Sequence, residues 1–149
     1  MEQNLNWQSH WSDPVEAGAL FHQVVAQLEE PKKHDLAIEE FMARPDLTLA
    51  LKTKVRGWIL EVLGRDDLRD CWDGSCKVLR EMPLLMGDGQ FLKPDMVLLR
   101  DDGTARVIEF KTGAVRESHL VQLNRYLTAL RDAGIPAEGD VVYVGGAAA

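Results

Sequence analysis

Near residue 76 the spacing of apolar residues changes from the helical period of 3.6 to the strand period of 2, which divides the chain into a helical part and a sheet-forming part. Before the change, "DPVEAGALFHQVVAQLEE" predicts a helix with Asp13 as N-cap, Pro14 at the first helical position and Glu16 three residues after the cap. Val15, Ala19, His22, Val25 and Ala26, with Leu28 or Glu29, follow the helical period and turn His22 inward; Pro31 ends the helix. A short helix is expected in "KHDLAIEEFMARP". A longer one runs from Leu47 to Leu63 and is closed by Gly64.

After the change, "CKVLREMPLLM" predicts a strand, "GDGQ" a turn, "FLKPDMVLLR" a second strand, "DDG" a tight hairpin turn and "TARVIEFK" a third strand. Three sequential antiparallel strands make a meander whose apolar face needs a cover. "ESHLVQLNRYLTALRDAG" supplies a helix ending at Gly134, and "GDVVYVG" a further strand. A helix between two strands can act as a crossover, so the pattern predicts an α/β fold with a mixed central sheet flanked by helices and an N-terminal helical region.

Length and composition fit one globular domain: 149 residues, 46% of them hydrophobic, allow burial of about two-thirds of the surface. Within it, residues 1–12 are expected to be a loosely ordered lead, with Trp7 and Trp11 packing on something. Residues 13–75 form the helical region, residues 76–144 the sheet and crossover helix, and the small-residue tail from Gly145 to Ala149 frays. Cys71 and Cys76 are too few for a disulfide framework or a four-ligand zinc or iron–sulfur site, which suggests a reducing, cytoplasmic setting. The first residues lack the basic-then-apolar order of a signal segment, and no run reaches the length of a membrane span. A net charge of −7 argues against a surface that coats nucleic acid non-specifically, but not against an enzyme whose acidic residues bind a cation. There is no Gly-rich phosphate loop, so no ATP hydrolysis is expected.

The chemistry concentrates in "KPDMVLLRDDGTARVIEFKTG". Strand period places Val107, Glu109 and Lys111 on one face and Ile108 and Phe110 on the other; it also groups Lys93, Asp95 and Val97. Asp95 lies six residues before Asp101, and Glu109 six after Gly103. Pairing through this turn therefore brings two carboxylates opposite each other, within about 5 Å. Such a pair repels unless neutralised, and oxygen-rich sites of this kind suit Mg²⁺ or Mn²⁺. With Lys111 beside them, the group reads as a centre for phosphodiester hydrolysis. The competing reading is an ion pair on a solvated sheet face.

In its motifs the chain resembles the restriction-endonuclease-like nucleases of the PD-(D/E)XK superfamily, and within them the RecB/AddA-type nuclease domain. The residues are Gly18 and His22 in "GALFH", Glu81 in "REMP", Pro94 and Asp95, then Glu109, Lys111, Thr112 and Gly113, then Gln122 and Tyr126 in "QLNRY". They span residues 14–144. The resemblance implies a metal-dependent DNA nuclease, an exonuclease more than a site-specific cutter, acting in DNA repair and recombination or phage DNA processing. It could stand alone or belong to a helicase-nuclease, with DNA and a helicase as partners.

By the same resemblance His22, Asp95, Glu109 and the Phe110 backbone carbonyl are metal ligands, and Lys111 is the catalytic lysine. Glu81 is an accessory acid. Gln122 and Tyr126 line the DNA path, with Lys93, Arg116 and Arg125 as basic residues near the site. From the residues alone, His22 reads more often as a packed histidine, Gln122 and Tyr126 more often as helix surface or core cap, and Glu81 as a third acid or a charge on the open sheet face. Two departures stand out: Pro94 precedes Asp95 where this branch often has Gly-x-Ile-Asp, and Glu109 replaces the commoner Asp. A catalytically inert module that holds DNA or a helicase is the alternative. Action on RNA is a third possibility, although no aromatic platform for single-stranded RNA is evident.

Overall fold

The structure, a computed structural model, describes residues 13–146. The expectations for the lead with Trp7 and Trp11, and for the last three residues of the tail, lie outside them. The chain divides into two compact units at Asp66 and Asp67.

The first unit is helical. Helix α1 (Pro14–Gln27) starts where Asp13 Oδ1 accepts a hydrogen bond of 2.9 Å from the Val15 N–H, with Pro14 at the first position. A 3₁₀ turn (Pro31–Lys33) leads into α2 (His34–Met42), and α3 (Leu49–Leu63) begins where the Thr48 hydroxyl accepts from the Leu51 N–H. The buried stripe of α1 is Ala17, Gly18, Leu20, Phe21, Val24 and Val25, followed by Leu28 just beyond the helix. This corrects the expected phase: Val15 is exposed, and of the anticipated set only Val25 is fully buried within the helix. The bulkiest side chain, Phe21, decides the inward direction, packing edge-on to Trp58 of α3 at 6.1 Å.

The second unit is a mixed α/β fold. After a 3₁₀ turn (Asp66–Cys71), strands β1 (Lys77–Arg80), β4 (Met96–Leu99), β5 (Ala105–Lys111) and β6 (Ala137–Tyr143) form one sheet in the order β1-β4-β5-β6. The first two pairings are antiparallel; β5 and β6 are parallel and joined by α4 (Glu117–Asp132). Both expected long strands are interrupted. Glu81 sits at φ 49°, Pro83 has no N–H to continue a ladder, and the chain leaves the sheet to make a separate ribbon of β2 (Leu84–Leu85) and β3 (Phe91–Leu92). The meander survives because β4 resumes beside β1, and Glu81 N–H still donates to the Asp95 carbonyl at 3.1 Å.

Helix α4 covers one face of the sheet. Its Leu123, Tyr126, Leu127 and Leu130 pack with Val97, Ala105 and Val107. On the opposite face Met96, Leu98, Ile108 and Phe110 are also fully buried, so the two central strands are covered on both faces. The helix ends at Ala133, with Gly134 at φ 86° completing the expected glycine stop. Close approach of α4 to β6 requires Gly139, where a Cβ would lie 2.8 Å from Leu123 Cδ1 and 2.9 Å from the Val107 carbonyl oxygen. Gly139→Ala is therefore expected to lower unfolding stability by about 1–3 kcal/mol through overpacking, read as a reduced urea midpoint; an unchanged midpoint would show that the helix can lift away freely.

Candidate functional site

The β4–β5 hairpin builds the site. Gly103, at φ 86°, donates to the Arg100 carbonyl at 3.0 Å, and Arg100 N–H donates to the Thr104 carbonyl at 2.9 Å. This closes the turn with Met96 opposite Ile108 and Val97 opposite Val107. One step further along the same register Asp95 faces Glu109, as the spacing about the turn predicts.

Contact between the two carboxylates and the backbone is reciprocal. Asp95 N–H donates to Glu109 Oε1 at 2.7 Å, and Phe110 N–H donates to Asp95 Oδ2 at 2.8 Å. Each acid thus fixes the strand that carries the other, through a charge-assisted hydrogen bond. Glu109 is 4% exposed, which rules out a solvated surface ion pair: the face that carries it is the one roofed by α4. Lys111 Nζ stands 4.0 Å from Glu109 Oε2 and donates to Gln122 Oε1 at 3.0 Å. The expected partner on α4 therefore reaches the site by steadying the lysine.

Tyr126, one turn further along α4, is buried. Expected beside a DNA path, it lies in the core instead, because the face of α4 that carries it is the face laid on the sheet. Its hydroxyl donates to the Lys93 carbonyl at 3.4 Å. Burial, then the negative charges of Glu109 and Asp95, push its phenol well above the usual range. The ring thus stays protonated within the cover that α4 lays over the face carrying Glu109.

The remaining expected residues are more dispersed. Glu81 brings its backbone beside Asp95, but its carboxylate stands apart: among the described residues no three imidazole, thiol or carboxylate groups converge to hold an ion. Its left-handed backbone, where β1 ends, accounts for the divergence. Lys93 and Arg116 are exposed. Arg125 turns to the ribbon, 3.4 Å from Asp88 Oδ2 and 3.5 Å from Gln90 Oε1. His22 belongs to the first unit, where its Nδ1 lies 2.8 Å from the Gly18 carbonyl oxygen. Both cysteines are free thiols, and burial pushes Cys71 up to about 12, the character of an inert structural thiol.

Two residues went unread in the sequence. His119, in the first turn of α4, places Nδ1 2.9 Å from the Tyr143 hydroxyl, and Tyr143 is paired with Lys111 across β5 and β6. His119 precedes Gln122 by three positions, which puts both on one helical face; that spacing was the available signal.

No family model and no curated protein matches the chain. Among the described residues no helix is long and apolar enough to cross a membrane.

The geometry makes a prediction about stability. Glu109→Ala removes the acceptor for the Asp95 N–H inside the fold and is expected to cost about 1–3 kcal/mol; Glu109→Gln, which keeps a carbonyl oxygen, should cost less. Urea denaturation of both variants checks this, and an Ala variant as stable as the native chain would deny the hydrogen bond any structural weight.

Proposed function

We propose that the chain is a metal-dependent deoxyribonuclease with a restriction-endonuclease-like core. The observation that carries this reading is the Asp95–Glu109 pair, locked across two strands by hydrogen bonds of 2.7 and 2.8 Å, with Lys111 two residues on. Support for the fold comes from the order of three antiparallel strands, a helix and a parallel strand. Support for an ion comes from the donors, which are hard carboxylate oxygens. Mg²⁺ is commonly held by one or two carboxylates, with water and substrate phosphate completing its shell.

Asp95, Glu109 and the Phe110 carbonyl would hold Mg²⁺ or Mn²⁺. When bound, such an ion polarises the phosphoryl oxygen and lowers the pKa of a water. The chain's own residues then have separate tasks. The two acids keep their geometry through the backbone N–H groups they engage. Lys111, steadied by Gln122, offsets the negative charge that grows on the phosphoryl oxygens as the water oxygen bonds to phosphorus and the P–O bond to the sugar breaks, the sugar oxygen leaving with a proton from solvent. Tyr126, on the covering helix, keeps water from that side of the acids. Lys93 and Arg116, both exposed, attract the strand.

By family resemblance the substrate is a DNA end, the activity exonucleolytic, and the setting repair, recombination or phage DNA processing, with a helicase as partner. A second reading, an inert nuclease-like module that binds DNA or a helicase, is favoured by one observation: among the described residues only two acids come together at this point, with no third ligand beside them. The two readings separate on linear single- and double-stranded DNA incubated with Mg²⁺ or Mn²⁺. The nuclease reading expects cleavage that falls at least about 100-fold in Lys111→Ala and Asp95→Ala. No cleavage by the native chain, or cleavage indifferent to both changes, would overturn it.

A further inference from the structure

Beyond the acidic pair, on the far side of Lys111, lies a second group of polar side chains with the opposite electrostatic character. The parallel register of β5 and β6 sets Lys111 beside Tyr143. The Tyr143 hydroxyl meets His119 Nδ1 at 2.9 Å, and the two rings lie tilted at 5.6 Å between centroids. Arg116, three residues before His119, is exposed and makes no ion pair among the described residues. Partial burial first, then the charges of Lys111 and Arg116, hold the His119 imidazole below its ordinary range, and no carboxylate acts on it in the opposite sense. Glu117, the acid nearest in sequence, is exposed on the same turn. An imidazole tied to a phenol therefore lies in the field of an ammonium and a guanidinium. These donors suit an oxyanion with several acceptor oxygens, whereas a metal cation would meet two positive charges.

We propose that Arg116, His119 and Tyr143, with Lys111 shared between the two groups, form a phosphate subsite that holds a polynucleotide phosphate adjacent to the one cleaved. The assignment rests on the nuclease reading for its substrate class, and on the geometry of these four side chains for its position. Nothing in the metal site requires His119 or Tyr143. Their tie to each other gives the imidazole a fixed orientation at the end of the sheet where β5 hands over to α4. Two sources supply the same chemistry: an internal phosphodiester, and a terminal 5′-phosphate that would mark the end of a strand.

The test is binding by the full chain in EDTA, where cleavage plays no part. Single-stranded oligonucleotides of identical sequence, one 5′-phosphorylated and one 5′-hydroxyl, are titrated by fluorescence anisotropy, and the His119 imidazole resonances are followed by NMR. The expected result is a shift of those resonances on binding and an affinity about tenfold weaker in Arg116→Ala and in His119→Ala. Arg56→Ala, an exposed charge on α3, controls for net charge. Tyr143→Phe keeps the ring while removing the hydroxyl, and circular dichroism verifies its fold. A loss confined to the 5′-phosphorylated strand assigns the subsite to the terminal phosphate; an equal loss for both strands assigns it to an internal diester. Unmoved His119 resonances, or unchanged affinity in both variants, would overturn the proposal even if the chain cleaves DNA. If the chain fails to cleave yet shows these effects, only the nuclease reading falls.

Discussion

Gly103, at φ 86°, lets the chain reverse between β4 and β5 and fixes Val97 opposite Val107. The arrangement of the acidic pair depends on that register. Cross-strand partners share a face, so a slip of one residue would set Asp95 against Ile108 or Phe110 and send the two carboxylates to opposite sides of the sheet. With the native register the acids meet. Their hydrogen bonds to the facing backbone then reinforce the pairing that produced them, beyond the last regular rung of the ladder.

Burying two like charges is unfavourable unless donors or cations offset it. Here two backbone N–H groups and the Lys111 ammonium do part of this, and α4 supplies both the roof and the glutamine that steadies the lysine. Sheet and helix are consequently coupled at one point. Gly139 allows α4 to sit low over the sheet with Tyr126 buried, while Gln122, one turn earlier on the same helix, reaches Lys111. The fold and the candidate site therefore share several of the same contacts.

Much of this was legible in the sequence, because local signals of high specificity coincide there. Asp-Asp-Gly declares a turn, the strand period orients Glu109 and Lys111, and equal spacing about the turn places Asp95. What escaped depended on competition between residues or on distant pairing. "CKVLREMPLLM" has strand-forming composition throughout, and only the left-handed Glu81 with Pro83 beyond it breaks the run into a strand and a separate ribbon. The inward face of α1 was misphased because small apolar residues fit two neighbouring phases, and Phe21 settles the choice by bulk. The face bearing Glu109 looked open to solvent because its cover, α4, follows in the chain and is brought over it by the parallel return of β6. The same return brings Tyr143 to Lys111, a pairing that no short-range pattern displays.

The central claim is that Asp95 and Glu109, set opposite each other by the hairpin, jointly hold one divalent cation. Isothermal titration of Mn²⁺ into the full native chain, Asp95→Asn and Glu109→Gln tests it most directly. The account predicts one-site binding by the native chain and its loss in each variant, with circular dichroism showing both folds intact. Binding that survives in both variants, or a native chain that takes up no Mn²⁺, would contradict it.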